Sequence, residues 1–118
     1  MGALTLPKPA RLSRRADFAT VRERGGSWHG RHMVVGGWVS GEPTAARIGV
    51  VTSRRVGGAV ERNRVRRRLR EVFRLHRALL PAGLWMVVVA RQAAATATSS
   101  VLAAEWRALS VRAGYLKA

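Results

Sequence analysis

The sequence predicts a single α+β domain, a two-layer sandwich of sheet and helices in the order α-β-β-β-α-β-α. Three observations predict it. The length of 118 residues suits one core rather than two. Apolar runs of strand character at 31–40, 45–52 and 84–90 alternate with stretches of helical period at 14–24, 58–80 and 100–113. Helices and strands interleaved in this way need a sheet on which the helices pack.

The elements follow in order. Residues 1–10, with Pro7 and Pro9, read as a flexible lead-in. Ser13 is placed to cap a helix over 14–24, which Gly25-Gly26 ends. Met33, Val34, Val35, Trp38 and Val39 mark a strand run, and Gly36-Gly37 leaves open whether it is one strand or two. Gly41-Glu42-Pro43-Thr44 is a turn signal before AARIGVVT (45–52), so the two runs read as a hairpin or meander. From 58 to 80, Val65, Leu69, Val72, Phe73 and His76 form one apolar stripe on a 3.6-residue period, stopped by Pro81 and Gly83. LWMVVVA (84–90) is apolar at nearly every position and reads as a strand buried on both faces. After a polar, small-residue stretch at 93–100, Leu102, Trp106, Leu109 and Ala113 share a helix face, with Gly114 as the residue beyond the helix end and 114–118 as a tail.

Charge decides the class of partner. Lys and Arg number 22 against 6 Asp and Glu, a net charge of +16, and 20 of the cations are Arg. The arginine fork binds phosphate bidentately and stacks on bases, so the partner expected is a nucleic acid and not a membrane. There is no cysteine, hence no disulfide and no thiolate metal site. The first residues hold no continuous apolar signal segment, and the run at 84–90 is too short to span a bilayer; a cytoplasmic protein is expected.

Ten of the 20 Arg lie between Arg54 and Arg77. On a helical wheel Asn63, Arg67, Arg70, Arg74 and Arg77 fall on one flank of the apolar stripe, with Arg64 and Arg68 towards the other. The helix can bury its stripe while projecting guanidinium groups to both sides. So many like charges repel one another, and the compensation must come from core packing or from a bound polyanion, of which the nearly all-arginine face points to the polyanion. Ahead of the helix, Ser53-Arg54-Arg55-Val56-Gly57-Gly58 reads as a phosphate-binding loop, with amides at the helix start as a cradle.

RIGVVTSRRVGGAVERNRVRRRLREVFRLH, with Arg62-Asn63-Arg64 followed by basic residues and Arg70-Glu71, resembles the signature region of the bacterial ribonuclease P protein subunit. ADFATVRERG (16–25) resembles that family's first helix, and GLWMVVVAR (83–91) its last strand; together the resemblance covers about residues 11–113. It implies a ribosomal protein S5 domain 2-like fold whose parallel strand–helix–strand unit crosses over left-handedly. It also implies that the protein joins a catalytic RNA that removes the 5′ leader of precursor tRNA endonucleolytically. Arg54, Arg55, Arg62, Asn63, Arg64, Arg67, Arg68 and Arg70 would then contact the catalytic RNA. A cleft between the sheet and the first helix would hold the single-stranded leader, with Phe18, Arg22 and Trp38. The family often has an aromatic where this chain has Arg22 and another near Gly36, for which Trp38 would substitute; Gln92 stands where a Lys is common.

No protein active site is expected. The six acids Asp17, Glu23, Glu42, Glu61, Glu71 and Glu105 are scattered and mostly beside Arg, without metal-ligand spacing. His76 lies on the apolar stripe, and His29 with His32 is expected to have no carboxylate nearby. No cofactor is expected on the protein; by the resemblance, Mg²⁺ is held by RNA phosphates. A basic-region DNA binder would need heptads beyond the basic run, which Pro81 and Gly83 cut short, so no DNA partner is expected. A ribosomal or RNA-assembly protein without catalysis shares every electrostatic feature, and only the motif resemblance separates it.

Overall fold

In the computed structural model, which describes residues 6–118, four strands form one sheet in the order β1-β2-β4-β3. The elements are α1 (Arg15–Arg24), β1 (Gly26–His29), β2 (Met33–Val39), β3 (Arg47–Val51), α2 (Ala59–His76), β4 (Leu84–Ala90) and α3 (Ser99–Arg112). β4, the most apolar strand, takes the interior position, antiparallel to β2 and parallel to β3, and α2 makes the β3-to-β4 connection.

The sheet carries a different load on each face. Met33, Val35, Ile48, Leu84, Met86 and Val88 pack against Val65, Leu69 and Phe73 of α2 and Leu102 and Trp106 of α3, forming the main core. α1 alone crosses the other face, where Val21 packs with Leu12 and Val87. Every second residue of a strand points the same way, so this thin cover leaves part of the second face open.

Several expectations are corrected. β2 and β3 are not a hairpin: the 41–44 turn wraps the start of β4, with Ser40 N–H donating to the Gly83 carbonyl (2.8 Å) and Gly83 N–H to that of Thr44 (2.6 Å). The most apolar strand needs neighbours on both sides and takes the place between them. β2 runs unbroken through Gly36-Gly37, and the additional strand is β1, which begins within the glycine pair expected only to end a helix. Ser13 does not cap α1: the cap position is Arg14, without a side-chain cap bond. β4 is buried along the whole of one face only: on the other, α1 covers Val87, while Trp85 is half-buried and Val89 is 39% exposed.

The chain ends are less free than expected. Residues 1–5 of the expected lead-in lie outside the described residues, but Leu6 and Ala10 are buried and Lys8–Ala10 form a 3₁₀ turn. After α3, Gly114 adopts φ +82°, a left-handed turn that glycine accepts without a Cβ clash. That turn lays Tyr115 edge-on to Trp28 at 5.5 Å and over Gly37, where a Cβ would fall 2.5 Å from the ring.

Candidate nucleic-acid interface

α2 seats Val65, Leu69, Val72 and Phe73 in the core and carries its arginines on the flanks. Asn63, Arg66, Arg67, Arg70 and Glu71 line a cavity of about 310 Å³ with Leu6 and Arg11. Arg66 is held in place, donating to Asn63 Oδ1 (2.9 Å) and to Thr52 Oγ1 at the end of β3 (2.6 Å). Arg11 reaches the same cavity from before α1, its guanidinium donating twice to the Leu6 carbonyl (3.1 and 2.7 Å). Partial burial, then the neighbouring Arg11 and Arg66 charges, lower the pKa of Arg70. Arginine stays protonated regardless, so its surroundings oppose a charge that it must carry.

No carboxylate is free to neutralise this group. Glu71 is engaged by Arg74 in a two-bond pair (2.9 and 2.7 Å), and that partner's hydrogen bonds hold the Glu71 pKa below its ordinary value. Among the described residues, Arg74–Glu71 and His32–Glu105 are the only ion pairs. Arg11 and Arg66, held by these hydrogen bonds, therefore form with Arg67 and Arg70 a set of phosphate donors that no ion pair neutralises among the described residues.

The other flank of α2 is tied inward. Arg64 donates to the Ala95 carbonyl (3.1 Å) and Arg68 to that of Ala97 (2.8 Å), pinning the 92–97 segment to the helix. Each guanidinium keeps further donors, so both can also meet RNA. Arg62 lies half-buried in the first turns of α2, while Arg54 and Arg55 are exposed on one 3₁₀ turn whose Ser53 hydroxyl accepts from Arg55 N–H (3.3 Å). The expected amide cradle is not free. Glu61 reaches back to accept from Gly58 N–H at 2.9 Å, and Gly57 permits the turn with φ +145°. A carboxylate three residues into a helix satisfies the first amide, and here it also places a negative charge where the anion would sit.

The second surface is a cleft of about 350 Å³ between α1 and the open sheet face. Phe18, Val21 and Arg22 of α1 form one wall; Val34, Gly36, Val51, Val87 and Val89 form the floor. The Phe18 ring sits over Gly49, where a Cβ would fall 2.5 Å from it, so the missing side chain on β3 seats the aromatic. At Gly36 a Cβ would meet nothing nearer than 3.6 Å, leaving the floor open where the resemblance leads one to expect an aromatic. Phe18 and Arg22 thus share one cleft. Trp38, paired on its face with Trp85 at 5.3 Å, lies outside the cleft lining, although it shares the sheet face of Gly36. Trp85, expected in the core, belongs to this second face, whereas Phe73 and Trp106 are fully buried.

Histidine geometry differs from expectation at one point. His32 does have a carboxylate neighbour: its backbone N–H and Nδ1–H donate to Glu105 of α3 at 2.8 and 2.9 Å, which fastens the β1–β2 turn to the helix. His76 donates from Nδ1 to the Val72 carbonyl (2.7 Å) beside Trp106. Among the described residues, no three His, Asp or Glu come together to hold a metal ion. None of the helices described is long and apolar enough to cross a membrane.

Sequence reasoning missed Arg66 and Arg11. Arg66 lies three residues from Asn63 and four from Arg62 and Arg70, so the wheel places it in the same arc. Arg11 carries no periodic signal, because the tertiary fold alone brings it to α2.

Residues 6–114 match the family model described as Ribonuclease P. The chain is 44% identical over 104 residues to the ribonuclease P protein component of Acidothermus cellulolyticus, covering 86% of this chain and 85% of that one. It is 35% identical over 112 residues to that of Exiguobacterium sibiricum, covering 95% and 97%. The fold superposes on the RNase P protein of Staphylococcus aureus with a TM-score of 0.84 at 28% identity, over 92% of this chain and 98% of the other. For the RNase P protein of Thermotoga maritima the TM-score is 0.76 at 28% identity, over 86% and 96%. A match over nearly the whole described chain, in sequence and in fold, shows that the chain belongs to the ribonuclease P protein family, the protein component of that tRNA-processing enzyme.

Proposed function

We propose that this protein is a non-catalytic subunit that binds a catalytic RNA through α2 and the 5′ leader of precursor tRNA through the α1 cleft. The observation that carries the reading is the convergence of Arg11, Arg66, Arg67 and Arg70 on one cavity with no free carboxylate. Such a group gains most from a phosphate backbone. Arg62, Asn63, Arg64 and Arg68 extend the surface along α2, and Arg54 and Arg55 precede it. The cleft offers a seated aromatic face, an apolar floor and the Arg22 cation, the components of sequence-tolerant single-strand binding. Hydrolysis of the leader bond belongs to the RNA, whose phosphates hold the Mg²⁺. In support of this, the acids among the described residues are scattered, with no three His, Asp or Glu grouped as a metal would require.

Reconstitution tests this reading. At low Mg²⁺ the protein is expected to stimulate 5′-leader removal by a bacterial ribonuclease P RNA and to cleave nothing alone. Absence of stimulation, or robust cleavage without RNA, refutes it. Phe18→Ala is expected to weaken holoenzyme binding of leader-bearing precursor by about tenfold, the cost of removing one base stack, and to leave mature tRNA binding unchanged. Equal losses for both would remove Phe18 from leader contact.

A further inference from the structure

The open sheet face carries three cross-strand rungs, and α1 covers only the middle one. Strand pairing puts Val34, Val89 and Val51 on the first rung, Gly36, Val87 and Gly49 on the second, and Trp38, Trp85 and Arg47 on the third. The first is the exposed floor of the cleft, where Val89 and Val51 are 39% and 37% exposed. Over the second, Val21 packs on Val87 and Phe18 on Gly49. The third emerges on the far side of α1.

That third rung has its own chemistry. Trp38 and Trp85 meet edge to face at 5.3 Å, both half-buried. Arg24, at the exposed end of α1, places its guanidinium 5.8 Å from the Trp38 ring centre, and Arg47 lies 5.5 Å from that of Trp85. Arg47 donates from Nη2 to the Arg11 carbonyl (3.1 Å), while its Nε is buried without a partner. Trp85 Nε1–H donates to Glu42 at 3.2 Å, which brings a carboxylate to the edge of the platform. Two large rings between two guanidinium groups match a base-and-phosphate ligand, and the chain's charge of +16 favours a polyanion over an acidic or apolar peptide.

Position assigns the strand. The first rung ends at Val51, next to Thr52, which accepts from Arg66 in the α2 cluster. With the catalytic RNA on α2, as proposed above, a leader leaving it would enter the cleft from that side. The third rung lies four residues further along the strands, about 13 Å at ~3.3 Å per residue. That distance is about four nucleotides at a stacked spacing of ~3.4 Å. Gly25, Gly26 and Ser27 line the cleft just past the end of α1, where Gly25 packs so closely on β2 that a Cβ would fall 2.1 Å from the Gly37 carbonyl, so a strand continuing to Trp38 passes over this side-chain-free end of the helix.

We propose that Trp38 and Trp85, flanked by Arg24 and Arg47, form a second single-strand platform that holds leader nucleotides farther from the cleavage site than those in the cleft. The proposal rests on the cleft reading above and extends it past α1.

The test is holoenzyme affinity for precursor tRNAs whose leaders increase one nucleotide at a time. Wild-type affinity is expected to rise again once the leader outgrows the cleft. Trp38→Ala is expected to remove that second rise, about tenfold, and to leave short-leader binding unchanged. Arg24→Ala, on an exposed residue outside the core, is expected to reduce the same rise; it serves as the folding-neutral variant. Phe18→Ala run in parallel weakens short and long leaders alike, so an inert Phe18→Ala marks failure of the cleft reading itself. 4-Thiouridine placed along the leader is expected to crosslink near Trp38 only from distal positions. The platform is overturned if no second rise occurs, or if Trp38→Ala and Arg24→Ala leave it intact. It is equally overturned if they weaken leaderless tRNA or the catalytic RNA to the same extent, which would assign these residues to another surface or to packing alone.

Discussion

Replacing Arg67 and Arg70 together by alanine is expected to lower affinity for the catalytic RNA by about 100-fold near physiological salt. Each charge-assisted hydrogen bond to phosphate is worth about 1.5 kcal/mol, and the double variant removes two. The free protein does not suffer a matching drop in stability. Neither side chain ion-pairs among the described residues, and Arg70 sits where burial and two neighbouring cations oppose its charge. Titration of labelled RNA and a thermal melt of the protein alone separate the two effects. The opposite flank gives the contrast. Arg64→Ala with Arg68→Ala leaves the Ala95 and Ala97 carbonyls without these donors, and destabilises the protein by about 1 kcal/mol for each bond. A double Arg67/Arg70 variant that binds RNA like wild type would remove this cavity from the interface.

Phe73→Ala costs about 3–5 kcal/mol of folding free energy, from the forfeited transfer energy and the cavity left behind. The ring is fully buried between α2 and the sheet, within the main core. In a domain of this size that lowers the melting temperature by about 10–20 °C. The damage reaches function because this stripe fixes the rotation of α2 and so the direction of its arginines. Leu75, two residues on and 63% exposed, serves as the control: Leu75→Ala is expected to change stability by less than about 0.5 kcal/mol. Melting curves that do not distinguish the two variants would contradict the assigned seating of α2.

What the sequence revealed follows from what its patterns encode. The 3.6-residue stripe from Val65 to Phe73 identified α2 and its buried face, because a long amphipathic helix writes its orientation into its spacing. Flanking arginines were legible for the same reason. Strand order was not: the signal at 41–44 marks a turn but not which strand that turn wraps, and only the Gly83 hydrogen bonds show that it straddles β4. β1 was hidden because GSWH has no apolar run and gains its partners from β2. The apolar run of β4 suggested burial on both faces, yet Val89 and Trp85 form an open surface beside α1. Composition cannot tell an interior strand with two covered faces from one that floors a cleft. Phe18 and Arg22 were placed together by resemblance, but the glycine that seats the Phe18 ring, Gly49, became visible only in three dimensions. Glu61 shows the reverse case. The glycine-rich turn reads as a phosphate cradle in sequence, whereas in the fold the carboxylate three residues on occupies its first amide.

The central claim is that α2 binds RNA through phosphates, and the salt dependence of affinity for the catalytic RNA tests it most directly. With about six to eight phosphates neutralised, the slope of log K against log salt concentration is expected at about −5 to −7. A slope near zero, with affinity preserved at high salt, would contradict it.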